Sequence, residues 1–314
     1  MSTATDSIII EQLAVALDDE LVVAHGGVDM EPSETTFATL DASTKAAFQV
    51  LAHGDGGILA ALGSVAVMED DPAFNAGLGS VLTRTGVVET DGAVSSGWDG
   101  RATGVGAVPG IRRPAALAYR LMQEERTVLL AGSGAAEYAV ARGFEIEDLV
   151  TDEQRLALDA YAADPTRSIF TGRPVPTETV GCLVLDALGI ASASSTGGLL
   201  GKLPGRIGDS CVPGGGFWTD RRFGVLCSGS GEAAITAHVA GTVARRAADL
   251  GLAEAIRTTL DELVLTTGTI CAIVGVDTKE GLVATGHNGG SFPVAVRQSN
   301  SAHRLGAQPR RNGW

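Results

Sequence analysis

Strand-like runs, most of them nearly continuous in apolar residues, constrain this chain most. They are Val180–Leu185, Ile190–Ser195, Phe223–Ser228, Thr269–Asp277 ("TICAIVGVD") and Gly281–Gly286 ("GLVATG"). A strand with one wet face alternates polar and apolar residues; near-continuous apolar strands need cover on both faces. Helical patterns lie apart from these runs, so strands and helices do not alternate as in a doubly wound fold. The expectation is an α+β chain, with antiparallel sheets and helices layered outside them.

The helical patterns are specific. Ser43–Val67 is Ala- and Leu-rich and broken by "GDGG" at Gly54–Gly57, which predicts two helical pieces. "RPAALAYRLMQ" carries Pro near its start, as a helix first turn tolerates. "SGAAEYAVARG" predicts a helix with Ser133 as N-cap and Gly143 as its stop. Glu232–Leu250 and Leu252–Leu263 predict two more. "ELVVAHGG", "VVETDGAVSSG" and "TGVGAVPG" read as short strands, and "EDDPAFNAGLGS" (Glu69–Ser80) as a loop. The stretch Glu147–Glu178 can start helical, then loses periodicity among three prolines; its second half reads as an exposed linker.

Composition removes several function classes. The net charge is −14 and no basic stripe exists, which argues against a nucleic-acid partner. The basic spots Arg221-Arg222, Arg245-Arg246 and Arg304 to Arg311 are short, solvated faces. No run of about 20 apolar residues is present, so no membrane span is expected. Without a signal-peptide pattern, a cytoplasmic location is expected. Cys182, Cys211, Cys227 and Cys271 form no CxxC pair, and the five histidines (25, 53, 238, 287 and 303) form no HxxxH or HExxH pair. Neither a disulfide framework nor a zinc site is expected. "GGLLGKL" (Gly197–Leu203) is one residue short of a phosphate loop, and Leu203 replaces its Ser/Thr.

What remains is a constellation of hydroxyls, glycines, one Arg and one Asp. Its pieces are Thr179 in "PTETVGCLVLD", Thr196-Gly197-Gly198, Gly205 to Asp209 ("GRIGD") and Ser228 to Gly231 ("SGSG"). It contains no plausible His base. Thr179 is either an ordinary β-branched strand opener or a nucleophile that becomes a new N-terminus. In the second case its own α-amine, with an ordinary pKa of about 7.7–8.0, can take the hydroxyl proton near neutral pH.

With "AHGG" (Ala24–Gly27), "DDPAFNAGLGSVLT" (Asp70–Thr83) and "GAVPGIRRP" (Gly106–Pro114), these pieces resemble the plant-type L-asparaginase/isoaspartyl peptidase family of N-terminal-nucleophile hydrolases. The resemblance runs from about residue 20 to at least 290 and implies a four-layer αββα sandwich. It also implies a single domain that cuts itself between Glu178 and Thr179. The two pieces would be 1–178, with 149–178 a mobile linker, and 179–314, assembled as a dimer of heterodimers. It implies release of L-aspartate from β-aspartyl dipeptides and L-asparagine. Thr179 matches the nucleophile, Thr196 its orienting partner, and Ser228 with Gly229 the oxyanion hole. Arg206 matches the α-carboxylate site, and Asp209 with the Gly231 backbone the α-ammonium site. Asn75 is a supporting residue. No catalytic cofactor is implied; a structural Na⁺ is, held by carbonyls of Met68, Glu69, Asp71, Phe74, Ala76 and Leu78.

The chain departs from the family pattern at four places. Ser228 stands where Thr is usual, so the methyl that restricts χ1 is missing. Val28-Asp29 replace small residues after the two glycines, Glu178 replaces a more common Asp or Gly, and "GGSFPVAVRQSN" replaces the usual late segment. A glycosylasparaginase-like or specialised β-amide hydrolase, and an uncleaved amino-acid-binding relative, stay open as alternatives.

Overall fold

The computed structural model describes residues 8–124, 126–163 and 179–306. Two sheets organise them. The larger runs in the order β13 (Ser301–Leu305), β12 (Val294–Gln298), β2 (Leu21–His25), β6 (Val180–Asp186), β7 (Gly189–Thr196), β3 (Glu89–Ser96), β4 (Arg101–Pro109) and β5 (Leu129–Ala131). The smaller runs β1 (Ile9–Ala14), β11 (Leu282–His287), β10 (Cys271–Asp277), β9 (Phe223–Gly229) and β8 (Phe217–Thr219). Every pairing between these strands is antiparallel except that of β4 with β5.

The apolar runs are continuous because alternate residues feed different cores. On β6, Cys182 and Val184 join a cluster with Leu40, Val65 and Leu117 from the helices α1 (Glu34–Ala52), α2 (Gly57–Glu69) and α3 (Pro114–Glu124). Leu183 between them joins a second cluster, which takes Val23 and Ile190 from the larger sheet and Leu226, Val274 and Val283 from the smaller. On β9 and β10, Cys227, Cys271 and Ile273 turn instead to α7 (Val239–Leu250) and α8 (Leu252–Thr267), meeting Val243 and Leu260. The expected cover on both faces is thus present, and all four cysteines are buried free thiols. No described helix is long and apolar enough to cross a membrane.

Helix α1 begins nine residues before the expected start, capped by Ser33, whose Oγ accepts the Thr36 amide at 3.1 Å. The break at Gly54–Gly57 falls where expected. Three expectations need correction. The helix α4 (Gly132–Ala141) starts before Ser133, with Ala131 in the N-cap position and no side-chain cap. Glu232–Leu250 is not one helix: α6 (Gly231–Thr236) ends, His238 turns left-handed at φ 50°, and α7 begins. The opening amides of α7, Ala240 and Gly241, donate to the carbonyls of Gly215 and Gly214 at 3.1 and 3.0 Å. A distant loop therefore satisfies a helix start that local sequence does not cap. Thirdly, part of the stretch 149–178 is not linker, since α5 (Asp152–Ala163) occupies it. Gln154 pins that helix, donating from Nε2 to the carbonyls of Leu78 (3.2 Å) and Ser80 (2.6 Å). The second half of the stretch, with Glu178, lies outside the described residues.

Candidate active site

Thr179 stands at the head of β6. The register Val180↔Ser195 places Thr196 opposite it, one step further along. Both threonines are buried. They line one small cleft with Gly198, Arg206, Asp209 and Gly229. Four segments thus meet where β6 begins and where β7 and β9 end. Ser228 is wholly buried just before Gly229. Gly229 has φ 135° and a Cβ there would lie 2.4 Å from the Ile270 carbonyl, so only glycine fits this strand end.

The turn after Thr196 is held from two sides. Thr196 Oγ1 accepts the Gly198 amide at 2.9 Å. Asn75 donates from Nδ2 to the Gly198 carbonyl at 2.8 Å, and its own carbonyl accepts the Gly197 amide at 2.9 Å. Its side-chain oxygen also accepts the Val81 amide at 3.0 Å, so Asn75 couples the Glu69–Ser80 loop to the turn beside Thr179.

The "GRIGD" segment is pinned at the start of β3. Lys202 Nζ donates to the Glu89 carbonyl at 2.7 Å, Gly205 N–H to Glu89 Oε2 at 2.8 Å, and Gly208 N–H to Asp91 Oδ2 at 2.8 Å. Asp91 also accepts the Ala107 amide at 2.7 Å. Lys202, weighed above as a phosphate-loop lysine, is thereby a buried structural pin; burial holds its pKa below the ordinary value, against the pull of Asp91. These ties fix Arg206 and Asp209 in the cleft. Arg206 forks onto Glu232 through Nε (2.9 Å) and Nη2 (2.8 Å), leaving the Nη1 side of the guanidinium for a second anion. Burial opposes the Arg206 charge, but Glu232, with Asp91 and Asp209, outweighs it and its pKa is raised. Asp209 is fully buried, and its Oδ2 has no hydrogen-bond partner among the described residues. Burial pushes its carboxyl up to about 7, against the opposing charge of Arg206. An unpaired buried carboxylate oxygen is costly unless a cation or donor completes it. Gly231 packs against both groups; a Cβ there would lie 2.8 Å from Arg206 Nη2 and 3.0 Å from Asp209 Oδ1.

Sequence reasoning missed Ser210. Its hydroxyl lies 3.1 Å from Thr179 Oγ1, and its carbonyl accepts the Ser194 hydroxyl at 2.7 Å. The short 3-10 turn Asp209–Cys211 aims Asp209 and Ser210 at the cleft together. The only signal was adjacency to Asp209. Glu232 and Asp91 were equally hidden, as was the pinning role of Lys202, because each acts by holding another residue.

The Glu69–Ser80 loop is tightly folded. The Met68 carbonyl accepts the Asp70 and Asp71 amides, and the carbonyls of Asp71, Phe74 and Ala76 each accept one backbone amide of the loop. Gly77 has φ 52° and comes so close to the Glu69 carbonyl that a Cβ would lie 2.4 Å from it. The Asp71 carboxylate accepts from Thr39 Oγ1 at 2.6 Å, which ties the loop to α1. Arg113 donates to Asp70 at 2.5 Å and to Glu69 at 3.2 Å, so the "GIRRP" string clamps the start of the loop. Burial pushes the Glu69 carboxyl up to about 7, opposed by Arg113.

An asparaginase family model matches residues 12–306, which spans all of these segments. The chain belongs to that family. The Homo sapiens protein named isoaspartyl peptidase/L-asparaginase is 34% identical over 250 residues, covering 74% of this chain and 81% of the relative. The Bos taurus protein of the same name is 34% identical over 236 residues, covering 70% and 74%. A plant-type L-asparaginase from Thermococcus kodakarensis is 35% identical over 193 residues, covering 58% and 63%. This family member is accordingly an asparaginase-type hydrolase, as the resemblance in its motifs implied.

Proposed function

We propose that this chain cuts itself before Thr179 and then releases L-aspartate from β-aspartyl dipeptides and L-asparagine. One observation carries the reading: Thr179 shares a single cleft with one guanidinium, one unpaired buried carboxylate and the Gly229 strand end. An unblocked aspartyl group carries one anion and one cation beside its scissile carbonyl. Arg206 takes the α-carboxylate, and Asp209 with the Gly231 backbone takes the α-ammonium. Thr179 Oγ1 then attacks the side-chain carbonyl while its freed α-amine accepts the proton. The Ser228 hydroxyl and the Gly229 amide donate to the oxyanion, each worth about 3–4 kcal/mol in comparable sites. The amine returns the proton to the leaving nitrogen, and water cleaves the aspartyl ester. Thr196 holds the turn that orients the nucleophile. In this reading the two sheets and flanking helices are the αββα sandwich of N-terminal-nucleophile hydrolases, and two cleaved heterodimers associate.

The loop carbonyls of Met68, Glu69, Asp71, Phe74, Ala76 and Leu78 suit a hard cation such as Na⁺. The near approach of the Glu69 carbonyl to Gly77, and the one-amide occupancy of the Asp71, Phe74 and Ala76 carbonyls, support that fit. Sodium there would supply positive charge that stiffens the loop carrying Asn75, and no step of hydrolysis passes through it.

Intact mass after prolonged incubation, with hydrolysis of β-Asp-Leu measured on the same sample, tests the proposal. Two chains, the second beginning at Thr179, and free aspartate are expected. A single full-length mass with saturable aspartate binding and no turnover would overturn it in favour of an uncleaved binder. Ser210→Ala is expected to lower kcat about fivefold, the value of one ordinary hydrogen bond, with little change in KM. An unchanged kcat in steady-state assays removes Ser210 from the site.

A further inference from the structure

Three of the departures from the family pattern meet in space. Val28 N–H donates to the Ser228 hydroxyl oxygen at 3.1 Å. Asp29 N–H donates to the Ser291 carbonyl at 2.8 Å, and the Asp29 carboxylate accepts the Gly290 amide. Ser291 Oγ returns a bond to the Met30 carbonyl at 2.6 Å. Gly289 packs so closely on this loop that a Cβ would lie 2.6 Å from Asp29 Oδ1 and 2.8 Å from Val28 Cγ2. Asn288, one residue earlier, accepts the Cys271 amide at 2.7 Å, and Cys271 is the cross-strand partner of Gly229.

We infer that Asp29 is a positioning residue, which through the Val28 amide holds the Ser228 hydroxyl in one rotamer. A threonine restricts χ1 by its methyl; a serine turns among three wells. Here a backbone donor fills one lone pair of Ser228 Oγ, which fixes the oxygen and leaves its single proton to point elsewhere. The Val28 amide can do this only if its loop stays put. Asp29 sits at φ 65°, a conformation Asp tolerates better than most residues, and its carboxylate clamps the loop to Gly290. The "VD" after the two glycines, the serine at 228 and the "GGS" at 289–291 are thus one device, in which a tertiary hydrogen bond replaces a missing methyl.

The inference rests on the oxyanion role proposed for Ser228, and the test separates the two. Asp29→Gly keeps the positive φ and deletes the clamp; Asp29→Asn keeps both the φ and an acceptor oxygen. Each is made in the parent and in a Ser228→Thr background, and kcat and KM for β-Asp-Leu are measured on fully cleaved protein of verified melting temperature. In the parent, Asp29→Gly is expected to lower kcat about tenfold with KM within about twofold, and Asp29→Asn to stay within about threefold. In the Ser228→Thr background the Asp29→Gly loss is expected to shrink to about twofold. An equal loss in both backgrounds, a loss confined to KM, or an Asp29→Asn as poor as Asp29→Gly overturns the inference. Hydrolysis that survives Thr179→Ala would instead remove the functional reading beneath it.

Discussion

Thr179→Ala is expected to stay a single full-length chain and to lose at least about 10⁴-fold in hydrolysis, as nucleophile deletions do when attack and proton transfer act as one unit. Both losses have one cause. In the proposed mechanism the hydroxyl that attacks the Glu178 carbonyl in self-cleavage is the one that later attacks substrate. Ser210, 3.1 Å away, cannot substitute, because its own nitrogen is an internal amide with no proton affinity near neutral pH. Thr179→Ser keeps both the hydroxyl and the latent amine and is expected to cut, more slowly. Denaturing gels over days and a β-Asp-Leu assay read the two effects separately. A Thr179→Ala protein that turns over within tenfold of the parent sinks the nucleophile assignment.

Asp209→Asn is expected to lower kcat/KM by about 10²- to 10³-fold, the range for losing one partner of a buried charge pair. The pH dependence gives the sharper check. Without ligand, burial raises the Asp209 carboxyl to about 7, with Arg206 pulling the other way. Below that pH the side chain is neutral and cannot pair with an ammonium, so kcat/KM rises as pH rises through about 7. The Thr179 α-amine must also lose its proton, near its ordinary value of about 7.7–8.0. On the acid limb, log(kcat/KM) is expected to climb with a slope near 2 in the parent and near 1 in Asp209→Asn. A parental slope of 1 that the substitution leaves unchanged would falsify the role of Asp209.

The same group bears on stability with a definite sign. Its folded pKa lies above the unfolded value of about 3.9, so between about pH 4 and 7 the folded state holds the proton more tightly. Stability from this group is therefore lost as pH rises through that window. The cost above it is on the order of 4 kcal/mol. Asp209→Asn removes the cost and is expected to melt higher than the parent at pH 8 while losing activity. Such a trade is what a binding carboxylate left unpaired until substrate arrives should show.

Much of the fold was legible because continuous apolar runs have few solutions. Cys182, Leu183 and Val184 could only be consecutive if alternate residues entered two different cores, and they do. The helix break at Gly54–Gly57 followed from glycine chemistry alone. Where expectation failed, a distant partner had replaced a local signal. The start of α7 is capped by the carbonyls of Gly214 and Gly215 rather than by a side chain within it. Helix α5 is anchored by Gln154 reaching Leu78 and Ser80, contacts that its own periodicity does not encode.

The site divides the same way. Chemistry belongs to residue type, so Thr179, Arg206, Asp209 and the two glycines of "SGSG" could be named from the chain as candidates, and the family follows from their strings. What holds those groups is geometry. Glu89 and Asp91 at the start of one strand fix the "GRIGD" segment, Asn75 fixes the turn after Thr196, and Val28 meets Ser228 two hundred residues away. A sequence states which donors and acceptors exist, because those are covalent facts. Only the folded chain decides which of them come within 3 Å, because that depends on how two sheets and their helices pack.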